Sequence, residues 1–480
     1  MEVADGNHGA VCQFVGPDLE SAGMPLQLPL NSSVLQLNEV LNTLLAQQDE
    51  PVPYAFFVAD EQVVDRLGGV VEASKISTEQ VIVLRYQPQA LFRVRAVSRC
   101  SATLPGHAEA VLATQFSPDA SMAASASGDT TVRIWEMKSQ TPKRTLNAHR
   151  NWVLTLAWAP DGKWLASGDK DGLVCAWRDA AQEHVEMMKA HTKWITALAW
   201  QPLHRTAHGE CELLASASKD ATVRIWNVRT GSTVFVLSGH TAAVTCVKWG
   251  GEGYLYTASQ DRTIKMWDER DGKQIKSLSG HGHWVNTMAL SSDYVLRMGA
   301  FDEKCRITPD QLGRLKEIAQ ERYDQAMAKS GGAKGQERLV SGSDDFTLHL
   351  WEPMSSSKPL ARMTGHQQLV NSVAFSADGI FIASGSFDKS VRLWLAHNGK
   401  FVATLRAHVG AVYMVAFSPD SRMLLSASRD STIKLWNLRT KKMQNDLPGH
   451  ADEVYAIDWA PDGSRVISGG KDKVIKLWHH

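Results

Sequence analysis

The fold is decided by the stretch SASGDTTVRIW, which runs from Ser125 to Trp135. In it a hydroxyl residue stands four positions before an Asp, and a Trp stands six positions after that Asp. This spacing occurs eight times, which indicates an architecture built from copies of one small unit. The Asp/Trp pairs are Asp129/Trp135, Asp171/Trp177, Asp220/Trp226, Asp261/Trp267, Asp345/Trp351, Asp388/Trp394, Asp430/Trp436 and Asp472/Trp478. The hydroxyl residues are Ser125, Ser167, Ser216, Thr257, Ser341, Ser384, Ser426 and Ser468.

A Gly-His or Ala-His precedes each motif. The histidines are His107, His149, His191, His240, His281, His366, His408 and His450. A period of about 40–45 residues with these features is typical of WD repeats, each of which forms a four-stranded propeller blade. The apolar run before each Trp also alternates as a half-buried strand does. We therefore predict a mainly β protein with an eight-bladed WD-repeat β-propeller at residues 99–480.

The polar residues of the repeat have a structural and a catalytic interpretation. Buried polar groups must be paired, so we expect a hydrogen-bond chain of Trp, Ser or Thr, His and Asp inside each blade. Ser, His and Asp also form catalytic triads. Because the set recurs eight times, we interpret it as a structural element of every blade, and no other catalytic motif stands out. The sequence predicts a protein that is not an enzyme.

The predicted ring needs a strand from its other end. The last repeat stops at Trp478, His479 and His480, which leaves no room for a fourth strand. The segment Arg99–Leu104 is a strand candidate without a blade of its own. We predict that it pairs with the last blade and closes the ring.

Composition indicates a globular protein in a reducing compartment. Apolar residues make up 44% of the 480 residues and charged residues 21%. No apolar stretch is long enough to span a membrane, and no secretory leader is recognisable. The six cysteines are scattered without paired metal-ligand spacing, so we expect free thiols and no metal bound by this chain alone.

The zero net charge hides a division along the chain. Residues 1–90 contain 12 Asp or Glu and 3 Lys or Arg, a net charge of −9, so residues 91–480 carry +9. An acidic head followed by a basic ring is either an ordinary solvated surface or a feature that selects partners.

Residues 10–90 predict a small α+β domain of the ubiquitin-like (β-grasp) type, after a flexible N-terminus at 1–9 and before a linker at 91–98. We predict a strand pair, a helix capped by Asn31 or Ser32, and two further strands. These segments are Val11–Val15 with Gln27–Leu30, the helix Val34–Leu45, then Tyr54–Val58 and Val81–Leu84.

Blade 5 carries an insertion at about 303–335, because the Trp267-to-Trp351 spacing is twice the usual period. Thr308 and Pro309 predict the start of a helix, and Gly331 and Gly332 its end. Its apolar stripe comprises Leu312, Leu315, Ala319, Tyr323 and Ala326. The helix either packs on the flank of blade 5 or docks a partner.

One face of the propeller is a candidate docking surface. The residue before each turn Asp should lie near this face, and three blades place a Trp three positions after the repeat His. The first set is Gly128, Lys170, Lys219, Gln260, Asp344, Phe387, Arg429 and Lys471, and the tryptophans are Trp152, Trp194 and Trp284. The four cations with aromatic neighbours suit an RNA backbone or an acidic protein surface. Alternatively, the tryptophans fill gaps between blades and the lysines are only solvated.

The chain as a whole resembles Notchless-type ribosome assembly factors over about residues 10–480. An acidic ubiquitin-like NLE domain, eight WD repeats and a helical insertion in blade 5 support the resemblance, and segments outside the repeat make it specific. Departures are short and lie in the extreme N-terminus and the insertion's length. The segments are Pro51-Val-Pro-Tyr54, Ser77-Thr-Glu79, His281-Gly-His-Trp-Val-Asn286, Tyr294-Val-Leu-Arg-Met-Gly-Ala-Phe-Asp302, Met363-Thr-Gly-His366, Leu447-Pro-Gly-His450-Ala-Asp-Glu-Val-Tyr455 and Ser468-Gly-Gly-Lys-Asp472.

The resemblance implies a monomeric factor of 60S ribosomal subunit maturation and rRNA processing in the nucleus and nucleolus. It implies that the propeller docks on the pre-60S particle, with its ribosomal proteins, assembly factors and rRNA. The ubiquitin-like domain would be gripped by the metal-ion-dependent adhesion site of the AAA ATPase midasin, which remodels or releases the factor. It implies no cofactor of this chain, because the partner's site holds the Mg²⁺.

In the family a loop glutamate completes the partner's Mg²⁺ coordination. The resemblance assigns this role to Glu79, flanked by Ser77 and Thr78, and a hard cation such as Mg²⁺ does prefer oxygen ligands. From the residues alone, the acids Asp60, Glu61, Asp65 and Glu72 remain alternatives. A second class of function is a WD-repeat scaffold or substrate receptor in a ubiquitin-ligase or signalling complex, since the fold does not fix function.

Overall fold

The structure is a computed structural model. It describes residues 9–16, 21–45, 53–59, 61–63, 66–74, 76, 80–88, 94–181, 185–308, 311, 313–330 and 336–480. The chain divides into two compact units, one of Met1–Arg93 with Met327–Gln336, the other of Val94–Ala326 with Glu337–His480.

The N-terminal unit is a mixed five-stranded sheet with two helices. Its sheet order is β2-β1-β5-β3-β4, with β1 and β5 parallel and the other pairs antiparallel, which is the arrangement of a ubiquitin-like β-grasp fold. The elements are β1 (Gly9–Val15), β2 (Leu26–Pro29), α1 (Val34–Leu44), β3 (Tyr54–Val58), β4 (Glu61–Gln62), α2 (Leu67–Ala73) and β5 (Ile82–Pro88). Neither β4 nor α2 was predicted from the sequence.

Helix α1 begins with a capping box. Ser33, rather than the predicted Asn31 or Ser32, is the N-cap: its hydroxyl accepts a hydrogen bond from the Gln36 backbone, and the Gln36 side chain accepts one from the Ser33 backbone. Leu37 and Leu41 then face the core under β1 and β3, with Phe14 and Phe56. The exchange of bonds at Ser33 satisfies two donors at once, which a longer entry from Asn31 would leave unpaired.

The second unit contains eight four-stranded antiparallel sheets, so the predicted eight-bladed propeller is confirmed. Blades 1 to 4 comprise β7 (Val111–Phe116), β8 (Met122–Ser127), β9 (Val132–Glu136) and β10 (Thr141–Leu146); β11 (Val153–Trp158), β12 (Trp164–Asp169), β13 (Leu173–Arg178) and β14 (Val185–Lys189); β15 (Ile195–Trp200), β16 (Leu213–Ser218), β17 (Thr222–Asn227) and β18 (Ser232–Ser238); and β19 (Val244–Trp249), β20 (Tyr254–Ser259), β21 (Thr263–Asp268) and β22 (Gln274–Ser279). A short 3-10 helix, Leu203–Arg205, follows β15.

Blades 5 to 8 repeat this order. They comprise β23 (Val285–Leu290), β24 (Leu339–Ser343), β25 (Leu348–Trp351) and β26 (Ala361–Met363); β27 (Val370–Phe375), β28 (Phe381–Ser386), β29 (Ser390–Leu395) and β30 (Phe401–Arg406); β31 (Val412–Phe417), β32 (Met423–Ser428), β33 (Ile433–Asn437) and β34 (Lys442–Leu447); and β35 (Val454–Trp459), β36 (Arg465–Gly470), β37 (Ile475–His479) and β6 (Arg99–Leu104).

The ring is closed, as predicted. Strand β6 pairs antiparallel with β37, with Leu104 opposite Ile475. The innermost strands of successive blades contact one another around the whole ring, and β35 contacts β7. A Cβ on Gly469 of blade 8 would lie 2.5 Å from Val111 of blade 1, and one on Gly168 would lie equally close to Ile195 of blade 3. Only a residue without a side chain lets these sheets approach so closely.

The blade 5 insertion crosses the ring rather than lining its own blade. Helix α3 (Asp293–Met298) lies at one end of a central cavity of about 490 Å³, which is lined by the innermost strands of the ring. From α3, Arg297 donates hydrogen bonds to Asp458 of blade 8 and to the carbonyl of Phe116 in blade 1. Helix α3 therefore covers one end of the cavity.

Helix α4 (Leu315–Ser330) then packs on the loops of blades 2 to 4, and the expectation that it lies on the flank of blade 5 is wrong. Ala319 is buried with Trp164 and Trp200, against which Leu315 also packs. The ring of Tyr323 stacks on His204 with centroids 4.8 Å apart. The insertion leads there because α3 carries the chain past the cavity before α4 begins. Pro309, Leu312, Gly331 and Gly332 lie outside the described residues.

Two sequence-level expectations concern the whole chain. All six cysteines are free thiols, four of them buried. Of the helices in the described ranges, none is both long and apolar enough to cross a membrane.

Candidate partner-binding face of the propeller

The repeat residues form the predicted hydrogen-bond chain in every blade. Trp Nε1 donates to the Ser or Thr hydroxyl oxygen at 2.8–3.0 Å. The same oxygen lies 2.7–2.8 Å from His Nε2. His Nδ1 lies 2.7–3.0 Å from an Asp oxygen. One neutral tautomer, with the proton on Nδ1, satisfies every group in this chain.

Blade 2 departs from the predicted pairing. His149 bonds to Asp169, not to Asp171, at 2.9 Å. Asp169 occupies the position that Ser127 has in blade 1, and its other oxygen accepts from the backbone of Asp171 and Leu173. Asp171 is exposed and accepts from Asn151 instead. The earlier Asp therefore replaces both the usual Ser and the usual Asp.

These chains have no access to a substrate. The eight hydroxyl residues are fully buried, and each hydroxyl oxygen is occupied by its own His and Trp. Burial alone would raise the pKa of Asp129, but the hydrogen bonds from His107, Thr131 and the Ala108 backbone outweigh it and lower that pKa. Burial lowers the pKa of His191, which keeps its imidazole neutral. A buried ionised Asp beside a neutral His is a structural clamp, not an activated nucleophile.

The clamp brings two sets of residues together on one face. In each blade the backbone N–H of the residue before the turn Asp donates to the carbonyl of the residue three positions after the His, at 2.8–3.1 Å. In blade 2 the donor is Lys170, which precedes Asp171. We call these residues the belt. In pairs from blade 1 to blade 8 they are Ala110 and Gly128, Trp152 and Lys170, Trp194 and Lys219, Ala243 and Gln260, Trp284 and Asp344, Leu369 and Phe387, Ala411 and Arg429, and Glu453 and Lys471.

Four of the predicted docking residues come together in blades 2 and 3. Lys170 Nζ lies 5.1 Å from the ring centroid of Trp152 and 4.8 Å from that of Trp194. Lys219 Nζ lies 3.7 Å from the ring centroid of Trp194. These are cation–π distances, so the indoles hold the two ammonium groups in place. We call Trp152, Lys170, Trp194 and Lys219 the indole–lysine arc.

The other two predicted cations lie apart from this arc and are neutralised. Arg429 Nε is 3.3 Å from Glu453, and Lys471 Nζ is 3.3 Å from Asp452. Glu453 also accepts hydrogen bonds from the hydroxyl of Tyr413. The third tryptophan, Trp284, pairs with Asp344 in blade 5. Its ring centroid lies 5.3 Å from that of His283. The belt is therefore cationic in blades 2 and 3 and charge-balanced in blades 7 and 8.

The three tryptophans are only partly packed against neighbouring blades. Trp152, Trp194 and Trp284 are 46%, 38% and 44% exposed. Sequence reasoning missed Arg150 and Lys193, which are exposed and shortly precede the two tryptophans of the arc in the chain. Their signal was available, since they follow the repeat histidines of the same two blades.

The predicted handle of the N-terminal unit lies outside the described residues. This applies to Ser77, Thr78 and Glu79, and to the alternatives Asp60 and Asp65. Glu61 and Glu72 are described and exposed. Within the described ranges, no group of three or more His, Cys, Asp or Glu is arranged to hold a metal ion.

Family models match both units of the chain. The model of the NLE (NUC135) domain matches residues 10–71. The model of the WD domain, G-beta repeat, matches residues 98–136, 140–178, 182–227, 231–268, 357–394, 399–437 and 441–479. Strands β23, β24 and β25 of blade 5 fall between the fourth and fifth matches, where the insertion interrupts the repeat.

Relatives align with most of the chain. The Notchless protein homolog of Arabidopsis thaliana is 51% identical over 409 residues, covering 85% of this chain and 84% of the relative. Protein Notchless of Drosophila melanogaster is 49% identical, covering 77% and 75%. Ribosome assembly protein 4 of Saccharomyces cerevisiae is 44% identical, covering 80% and 77%. A designed protein of known structure, Ika8, shares the fold with a TM-score of 0.61 at 24% identity, covering 80% of this chain and all of that one.

Proposed function

This chain belongs to the Notchless family of ribosome assembly proteins, and from this we propose that it is a non-enzymatic assembly factor of the large (60S) ribosomal subunit. The observation behind the proposal is that two relatives named ribosome assembly protein 4 are 44% and 46% identical to this chain over 80% and 76% of its length. Its place of action in this proposal is the nucleus and nucleolus, where large subunits are assembled.

The two units would divide the work. The propeller docks on the pre-60S particle, and the N-terminal unit is a handle gripped by the adhesion site of the midasin ATPase for remodelling and release. Two features support this division. The belt presents an unneutralised cationic arc to a partner, and the N-terminal unit is a separate compact domain with an acidic sequence.

Glu79 is the proposed point of contact with midasin, with Ser77 and Thr78 beside it. The carboxylate of Glu79 would complete the coordination of the partner's Mg²⁺, a hard ion that retains waters and takes one or two carboxylates.

A pull-down with the midasin adhesion domain tests the handle. Glu79→Ala should abolish binding, Glu79→Asp should weaken it because the carboxylate is withdrawn by one methylene, and EDTA should act like the Ala variant. Glu72→Ala is the matched control, since Glu72 is an exposed carboxylate of the same domain. Binding that survives both Glu79→Ala and EDTA refutes this assignment.

Co-sedimentation separates the two classes of function. An assembly factor travels with pre-60S particles, whereas a scaffold or substrate receptor travels with ubiquitin-ligase or signalling complexes. The second class is favoured only by the fold, which many unrelated functions share. Absence of the wild-type chain from pre-60S fractions would refute the assembly role, whatever the result with midasin.

A further inference from the structure

Positive charge is concentrated beside the indole–lysine arc. Arg150 and Lys193 are exposed and stand two positions before Trp152 and one position before Trp194. Among the described residues, no carboxylate lies within ion-pair distance of these two cations or of Lys170 and Lys219. Among the turns that join the second and third strands of these two blades, the one exposed carboxylate is Asp171, which accepts a hydrogen bond from Asn151. The buried Asp of the hydrogen-bond chain recurs in all blades, so it does not distinguish this region. Four cations therefore face one carboxylate.

The indoles in this region offer little flat surface to a nucleic acid base. A Cβ on Gly128 would lie 3.4 Å from two ring atoms of Trp152, so this backbone covers part of that ring. Lys170 lies over the same indole, and in the order of the belt Trp194 stands between Lys170 and Lys219. A base stacks only on an open ring face. Part of each ring is therefore already in contact with the Gly128 backbone or with a lysine ammonium group.

We propose that Arg150, Lys170, Lys193 and Lys219 bind the phosphodiester backbone of RNA without regard to base. This inference rests on the proposed function and names the component of the particle that this face contacts. A polyanion of regular charge suits a row of fixed ammonium groups, and neutralising phosphates releases counterions. The indoles act as positioning groups that hold the lysines. An acidic protein surface shares part of this chemistry and is separated by the test.

Binding of the purified full chain to a labelled uridine oligonucleotide of about 20 nucleotides tests the proposal, because this exceeds the ~4–16 nucleotides of a single-stranded site. Fluorescence anisotropy between about 50 and 200 mM KCl gives the salt dependence, whose slope is about −0.7 for each phosphate neutralised on a single strand. Four contacts predict a slope of about −2.8. An adenosine oligonucleotide of equal length should bind within about twofold, since bases are not stacked.

The equivalent positions of other blades supply a matched control. Lys170→Gln with Lys219→Gln should reduce the slope by about 1.4 and weaken binding at least tenfold at low salt. Arg429→Gln with Lys471→Gln makes the same change in net charge, but it removes cations already paired with Glu453 and Asp452, so its effect should be smaller. A second variant, Arg150→Gln with Lys193→Gln, leaves both cation–π contacts intact and should also lower the slope by about 1.4.

Three results would overturn the proposal. The first is an equal loss of RNA affinity in the arc and control variants, and the second is a strong preference for the adenosine oligonucleotide over the uridine one. The third is that binding of a polyglutamate peptide depends on the arc while RNA binding does not. The last result would identify an acidic protein as the partner. Pre-60S co-sedimentation of the same variants keeps the two proposals apart. If the arc variant associates with the particle as strongly as wild type does, the RNA contact is overturned and the assembly role still stands.

Discussion

Arg297 and Asp458 form a two-point ion pair between blades that are not neighbours. Nη1 and Nη2 of Arg297 lie 2.7 and 2.5 Å from the two oxygens of Asp458. Asp458 also accepts the backbone N–H of Phe116 at 2.8 Å. Helix α3 of blade 5 is thereby tied to blades 8 and 1, the two blades between which the ring closes.

Removing the cation of this pair should destabilise the propeller. Arg297→Met leaves Asp458 largely buried without its partner, and we expect a loss of about 3 kcal/mol in the free energy of unfolding. Adding Asp458→Asn to that variant should recover part of the loss, because no unpaired charge remains. Urea unfolding of both single variants and the double variant measures the coupling. Additive losses would show that the pair contributes nothing.

Blade 2 should depend on Asp169 and not on Asp171. Asp169→Asn places an amide donor opposite His149 and breaks the buried chain, which should cost about 2–3 kcal/mol. Asp171→Asn changes an exposed residue and should stay within about 0.5 kcal/mol of wild type. Denaturant midpoints of the two variants compare them directly. A larger loss for Asp171→Asn than for Asp169→Asn would instead support the pairing of His149 with Asp171 that the repeat spacing suggested.

Helix α4 should stabilise the propeller through its buried side. Tyr323→Ser removes a ring that is buried and stacked on His204, so we expect a loss of about 3–5 kcal/mol. Lys316→Ser, on the exposed side of the same helix, controls for helix propensity and should cost less than about 1 kcal/mol. Thermal melts test both variants. If Tyr323→Ser melts like wild type but leaves the pre-60S fractions, the stripe is a docking surface instead.

Glu337 should make the stability fall as pH rises through neutrality. Burial raises its pKa to about 7, although the Ser292 hydroxyl and the Gly251 backbone donate to one oxygen and oppose the shift. Because the folded pKa exceeds the unfolded value of 4.5, this stabilisation is complete below about pH 4.5 and is lost as pH rises through 7.

Glu337→Gln tests the titration. At pH 8 the variant should exceed wild type in stability by up to about 3 kcal/mol, whereas at pH 4.5 the two should be similar. Comparing the two proteins cancels the other titrating groups, including His349, whose pKa burial lowers to about 3. A difference that does not change with pH would show that Glu337 does not titrate in this range.

Sequence reasoning reached the eight blades and the closing strand because each rests on a local pattern. Residues such as Asp129 and Trp135 repeat at fixed spacing, and Arg99–Leu104 was the strand without a blade. The same reliance on spacing wrongly assigned Asp171 to the clamp. Asp169 stands at a position where blade 1 has Ser127, so the repeat spacing did not indicate that the clamp carboxylate would lie there. Helix α3 was missed because it is short and has no periodicity of its own.

The belt was predicted in part. Its positions follow from the turn geometry, but the pairing of Arg429 with Glu453 depends on which residues neighbouring blades bring together. The spacing within one repeat does not indicate which charged residues of two neighbouring blades form an ion pair. The same limit applies to α4, whose apolar stripe was recognised at Leu315 and Tyr323 while its partner blades were not.

The pairing of β6 with β37 has a consequence for synthesis of the protein. Ser101 and Leu477 bond across this pair although they are 376 positions apart in the chain. At translation rates of 5–20 residues per second, β6 waits roughly 20–75 s after emerging before its partner strand exists. During that time the edge of β6 is exposed to the cell, and a growing row of blades has two open ends. Production of this protein should therefore depend on a nascent-chain chaperone that covers β6 until the ring closes.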